Sequence, residues 1–181
     1  MTKRFAISTV CILAAGVFVA AAAARQAKAP PLSPSAKAEC HFADGKTITV
    51  DYSSPRMRGR KIYPGLVPFG KVWRAGANEA TTFVTDTDVV AGGKEVPAGS
   101  YTLFTIPNAD KWTLIISKKT GEWGIPYPGE SFDFARVEMK VSSLPSPLEN
   151  FTIAFDHAGD GCTLRMDWET RRASIAISEK K

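Results

Sequence analysis

Residues 136–141 read RVEMKV, with Val137, Met139 and Val141 alternating with Arg136, Glu138 and Lys140. Successive side chains of an extended chain point to opposite faces, so this run is a strand with one buried face and one charged face. The same period recurs on both sides of it. Ile48, Val50 and Tyr52 alternate with Thr47, Thr49 and Asp51, and Phe151, Ile153 and Phe155 repeat the pattern. Leu164, Met166 and Trp168 alternate with Thr163, Arg165 and Asp167, and Ala173, Ile175 and Ile177 close the chain. Runs at 82–90, 100–106 and 112–117 complete the set. Turn signals separate them: Asp44-Gly45, Gly92-Gly93, Pro97-Ala98-Gly99, Pro107-Asn108 and Gly159-Asp160-Gly161. From Ala38 onward no window carries a helical stripe, apart from one short turn over 130–135. The pattern predicts an all-β domain, a single antiparallel β-sandwich of about eight to nine strands, with a jelly roll among its forms.

The N-terminus has a different character. Lys3 and Arg4 precede an uncharged apolar run, Phe5 to Ala24, which ends in the alanine tract Ala20–Ala24. A basic start, an apolar stretch and small residues at its end describe a cleavable export signal over residues 1–24. A retained membrane anchor is the competing reading, and the alanine content makes the run a weak span. Residues 25–37 (RQAKAPPLSPSAK) offer nothing to bury and read as a flexible tether. Residues 38–181 then form one domain, long enough for a proper core. The expected location is periplasmic or extracellular, with membrane contact only through the N-terminal segment if it is uncleaved. The formal net charge of +5 falls to +3 once Lys3 and Arg4 are lost, too mild to argue for a nucleic-acid partner.

Cys40 and Cys162 remain in the domain. They are either a disulfide closing a loop of about 120 residues or two separate buried thiols, and an even count in an oxidising compartment favours the bridge. Cys162 shares parity with Leu164 and so faces inward. Only His41 and His157 could add imidazoles to the two cysteines, and they form no zinc-type ligand motif, so no metal site is expected. No cofactor motif and no Gly-x-Ser-x-Gly are present, and Gly92-Gly93-Lys94 reads as a hairpin turn rather than a phosphate loop.

The stretch 53–82, SSPRMRGRKIYPGLVPFGKVWRAGANEATT, interrupts the strand pattern. It holds Arg56, Arg58, Arg60, Lys61, Lys71 and Arg74 against one acid, Glu79, a local balance equal to the +5 of the whole chain. The strings SPRMRGRKI, LVPFGKVWRAGANEATTF, VPAGSYTLFTIP and WTLIIS together resemble bacterial exported proteins of the DUF2911 domain family, from about Tyr52 to Phe155. The resemblance implies export and a β-rich domain. It brings no chemistry with it, because that family has no settled activity.

Guanidinium groups suit planar anions such as carboxylates, phosphates and sulfates. On an extended chain Arg58 and Arg60 point the same way, so with Arg74 from the other limb they are candidates to converge on one anion. The competing reading is structural: arginines satisfying the carbonyls of a long irregular connection, with Glu79 paired to one of them. Gly76 permits a left-handed turn that Asn78 can cap. Glu79 beside Trp73, with Arg74 nearby, is the one candidate acid or base, though glycoside hydrolysis calls for a second carboxylate. Tyr63, Trp123 and Tyr127 lie in segments without alternation and are candidates to stack on a ligand; the alternative is that they seal the end of the sandwich. The leading expectation is therefore a non-catalytic binding module for a small anionic or carbohydrate-like ligand or an envelope protein. The runner-up is a hydrolase of an envelope glycan or small ester, with Glu79 as acid or base and Arg74 stabilising negative charge.

Overall fold

The alternating runs pair into nine strands in a computed structural model that describes residues 31–181. The signal-like segment 1–24 and the first part of the tether lie outside the described residues. The strands are β1 (Ser35–His41), β2 (Thr47–Ser53), β3 (Thr81–Thr85), β4 (Val89–Ala91), β5 (Lys94–Val96), β6 (Gly99–Ile106), β7 (Lys111–Ser117), β8 (Asp133–Ala158) and β9 (Gly161–Glu179). All join one antiparallel sheet, ordered β1-β2-β3-β6-β7-β8-β9-β4-β5 and not closed into a barrel. The all-β architecture is as expected, and a 3-10 turn at Glu130–Phe132 stands where the short turn was anticipated.

The strands divide the chain differently from the alternation. Runs 136–141 and 151–155 belong to one strand, β8, and runs 162–168 and 173–177 to another, β9. Their pairing slips between Ser143 and Leu148 and again between Leu148 and Thr152. Pro145 and Pro147 lie at the slip, where they remove ladder donors, and Glu169 across from it has φ 54°. Before the slip β8 pairs with both β7 and residues 171–174 of β9, whose end pairs with β4; after it, β8 pairs with β9 alone among the strands. This broken hairpin folds the sheet over, so that its far half packs across β1 and β2. There the Ile153 N–H donates to the Tyr52 hydroxyl (3.0 Å), which donates to the Ile153 carbonyl (3.3 Å). A disulfide joins Cys40 of β1 to Cys162 of β9, with Cα atoms 6.3 Å apart. The remaining run, 82–90, splits into β3 and β4 at a turn where Asp86 accepts the Thr47 N–H (2.7 Å).

The core lies between the two layers. It takes the inward parity of each strand, as in Ile48 and Val50, Leu103, Leu114, Met139, Leu164 and Met166. Trp112 and Trp168 are its largest members. Strands β6 and β7 are buried on both faces, because Thr102, Phe104, Ile115 and Ser117 on the outer side are also covered. The cover is the chain between β7 and β8. Its Tyr127 ring lies 5.2 Å from that of Phe104, and the Glu122 carbonyl accepts the Ala80 N–H (3.0 Å). That return loop therefore meets the basic segment at one end of the fold.

Strand β1 begins at Ser35, earlier than the boundary at 37 that composition suggested for the tether. The residues just before it are tied down, since the carbonyls of Leu32 and Ser33 accept hydrogen bonds from Arg58 (2.8 Å) and Asn78 (3.2 Å).

Candidate functional site

After β2 the chain crosses to the slip in β8. Arg56 bridges Asn150, the Phe151 N–H donates to the Pro55 carbonyl (2.9 Å), and the Met57 N–H donates to the Glu149 carbonyl (2.8 Å). It then reverses at Arg58 and Gly59, whose φ values are 51° and 70°. An irregular turn at Ile62–Leu66 sends Tyr63 into the core against Phe69, Trp112 and Trp168. Trp73 rejoins the sheet by exchanging two 2.7 Å hydrogen bonds with Thr105 of β6. A second reversal follows, with Ala75 at φ 51° and Asn78 at φ 56°. It is held by the Thr81 hydroxyl donating to the Ala75 carbonyl (2.8 Å) and the Ala77 N–H donating to the Ser53 carbonyl (3.2 Å). The left-handed residues are thus Ala75 and Asn78 rather than Gly76, which instead fits a tight space: a β-carbon there would stand 3.0 Å from the Ser53 carbonyl oxygen and 3.1 Å from the Thr81 hydroxyl.

Between this segment and the return loop opens a cleft of ≈ 340 Å³. Trp73 forms its floor, with the buried Trp168 ring stacked against it at 5.8 Å and 20°. Arg60, Leu66 and Arg74 line its sides, and Ile125 enters from the return loop. Both indole N–H groups are already used: Trp73 donates to the Gly76 carbonyl and Trp168 to the Glu149 carbonyl, each at 3.2 Å. The floor therefore presents carbon faces.

Arg56 and Arg74 are both half-buried without a side-chain hydrogen bond or ion pair among the described residues, and of the two only Arg74 lines the cleft. Its nearest electronic neighbour is the ring of Trp123, with Cζ 5.9 Å from the centroid. Burial pulls its pKa down from the ordinary arginine value, and the charge of Glu79 opposes that shift. A cation partly stripped of water without a partner is unfavourable unless something external completes it.

The other candidate residues are dispersed. Arg60 and Arg74 line the same cleft, but Arg58 does not join them. Arg60 spends Nε on the Met57 carbonyl (2.9 Å) and Nη2 on the Arg56 carbonyl (2.7 Å), while Arg58 reaches away to Leu32. Their expected alignment assumed extended backbone, and the positive φ at Arg58 and Gly59 abolishes it. Tyr63 is 4% exposed and belongs to the core, its hydroxyl without a partner and its pKa pushed far up by burial. Tyr127 lies on the outer face, donating to Asp133 and accepting from Arg136 (3.2 Å), and is not in the cleft. Asn78 straps the segment to Ser33 and to the Ser53 hydroxyl. Trp123 stays exposed at the mouth beside Arg74.

Glu79 is exposed, forms no ion pair with an arginine, and faces a separate hollow of ≈ 290 Å³ that it shares with Asp51. The wall contributions of Leu66, Ile125 and Trp168 escaped the sequence reading. Trp168 carried the signal of a core strand, and the cleft is the part of that core the basic segment leaves open. A larger hollow, ≈ 700 Å³, lies near the C-terminus, where Lys180 pairs with Glu95 (2.7 Å) and Lys181 with Asp160 (2.9 Å). Such exposed pairs satisfy one another and call for no ligand. No group of three or more His, Cys, Asp or Glu among the described residues could hold a metal.

Fold and cleft together define an all-β domain with an aromatic-floored pocket lined by two arginines that have no ion pair among the described residues, of which Arg74 also makes no hydrogen bond. The chain belongs to the DUF2911 family, described as a protein of unknown function, whose model matches residues 33–177. Neither the curated proteins nor the solved structures provide a match.

Proposed function

We propose that this protein is an exported, non-catalytic binding module whose cleft takes a small anion against Arg74. The observation that carries this reading is the half-buried Arg74 guanidinium, which has no hydrogen bond or ion pair among the described residues and lines a hollow of small-molecule size. Export rests on the basic-then-apolar pattern of residues 3–24, and a disulfide between Cys40 and Cys162 suits an oxidising compartment such as the periplasm or the extracellular space. An envelope protein presenting a carboxylate side chain is the macromolecular form of the same ligand chemistry.

The hydrolase reading needs Glu79 and Arg74 to act on one substrate, whereas they line separate hollows. The shared hollow of Glu79 and Asp51 is what favours it. The two readings separate by variant: Glu79→Gln leaves the affinity of a binding module unchanged and removes the turnover of a hydrolase.

The test is a thermal-shift screen of small organic anions and sugars on the wild type and Arg74→Ala. Ligand binding to the native state raises the midpoint by mass action. An anion that shifts the wild type and not the variant supports the proposal. Anions that shift both equally, or sugars alone shifting the wild type, contradict it.

A further inference from the structure

We infer that the ligand of the Arg74 cleft is amphipathic: an organic carboxylate whose alkyl or aryl body lies on the indole floor while its charge meets Arg74. This rests on the anion-binding reading above and narrows it to a chemical class.

Three features of the cleft select that class. The first is its hydrogen-bonding inventory. Apart from the two arginines, the only lining side chain with a polar atom not already engaged is Ser33; no Asp, Glu, Asn or Gln lines the cleft. A neutral sugar presents hydroxyl groups that need acceptors as well as donors, and arginine supplies donors only. The second is the donor count. Arg60 has committed Nε and Nη2 to its own loop, so Arg74 is the main source of donors for an anion. A single guanidinium fork matches the two oxygens of a carboxylate, whereas an inorganic oxyanion keeps most of its oxygens unmet there. The third is the surface around the charge. The floor is the half-buried Trp73 indole, its N–H occupied and Trp168 stacked against it in the core, and it is continued by Leu66. Among the exposed large apolar side chains, Leu66 (45%), Trp123 (55%) and Ile125 (66%) all stand at this mouth. Apolar surface that stays in water beside an unpaired cation is complementary to a molecule carrying an anion at one end and hydrocarbon at the other.

The experiment is isothermal titration of the protein with butanoate, hexanoate and octanoate, and with octanol, sulfate and glucose, at constant ionic strength. Affinity is expected to rise about three- to four-fold for each methylene added, the increment of burying one CH₂. Octanol, which has the tail without the charge, and sulfate, which has charge without tail, should each bind at least about ten-fold more weakly than octanoate. Arg74→Ala should weaken octanoate by at least about ten-fold. Ile125→Ser should flatten the chain-length trend without affecting butanoate. Should Arg74→Ala melt well below the wild type, Arg74→Gln, which keeps the stem and removes the charge, takes its place.

Sulfate or butanoate binding as tightly as octanoate, with Arg74 still required, overturns the amphipathic class and leaves the anion reading standing. Glucose binding while the anions do not overturns both. So does octanoate binding that is indifferent to Arg74 in a folded variant, or the absence of binding by any probe.

Discussion

The backbone of Gly124 lies against the side chain of Arg74, so closely that a β-carbon at 124 would stand 3.0 Å from Arg74 Cβ and 3.3 Å from its Cδ. The same β-carbon would come within 2.9 Å of Ala80 Cβ, and Gly124 has φ +81°, a conformation that side chains disfavour. The return loop is thus moulded to the stem of the arginine in the cleft that has no hydrogen bond or ion pair among the described residues. Gly124→Ala should lower stability by about 1–3 kcal/mol through backbone strain and overlap. Because the relief must come from Arg74 or from the loop, it should also weaken anion binding. Chemical denaturation and a titration on the folded variant check the two effects separately.

Arg74 and Asp167 make opposite demands on stability. Asp167 is 2% exposed and accepts two hydrogen bonds from Arg172, at 2.8 and 2.7 Å, as well as an ion pair from Arg165. Asp167→Ala leaves Arg172 without its carboxylate and Arg165 with Asp156 alone, and should cost about 1–3 kcal/mol. Arg74→Ala removes a cation that nothing in the fold satisfies and should change stability by less than about 1 kcal/mol. Urea midpoints of the two variants provide the comparison. A large loss for Arg74→Ala would place that residue in the scaffold instead.

The disulfide spans 122 residues of sequence and ties β1 to the folded-over half of the β8–β9 hairpin. In the chain-entropy treatment a loop of that length contributes about 4–5 kcal/mol. At about 2–4 °C per kcal/mol for a domain of this size, the double variant Cys40→Ser, Cys162→Ser should melt up to about 20 °C lower. Calorimetry of the wild type with and without reductant measures the same difference.

Burial, reinforced by the hydrogen bond to Asp133, pushes the Tyr127 phenol up to about 12 from its ordinary value of 10.0. The folded state therefore holds this proton more tightly than the unfolded chain. The resulting stabilisation is complete below pH 10 and is lost as pH rises from there through about 12. Tyr127→Phe should remove that part of the alkaline decline while leaving the neutral-pH fold intact. Spectrophotometric titration of the phenols, set beside denaturation midpoints over the same range, tests it.

The period-2 pattern recovered most of the strand segments, their inward faces and the inward direction of Cys162, but gave no run for β1 or β5 and joined β3 to β4. Connectivity at the corner was less accessible. The stretch from Ser143 to Asn150, with Pro145 and Pro147, reads as a loop between two strands, yet β9 continues opposite it and holds one long kinked strand in place. Alternation cannot distinguish a broken strand from a pair of strands. The basic segment announced itself by charge and composition, but the directions of its arginines depended on left-handed residues at Arg58 and Ala75, where only the neighbouring glycines gave a hint. Trp123 and Tyr127 looked equivalent in a loop without period. Tyr127 covers Phe104 while Trp123 remains at the mouth, a difference set by a face of β6 whose burial no local pattern reveals.

The most direct test observes the Arg74 guanidinium itself. In a ¹H–¹⁵N spectrum of the side chains, with the Arg74 Nε–H assigned through Arg74→Lys, 3-phenylpropionate is titrated into the protein. The account predicts saturable shifts of the Arg74 Nε–H and of the Trp73 and Trp168 indole N–H signals with one shared dissociation constant. Saturable shifts elsewhere on the protein while these three stay fixed would contradict it.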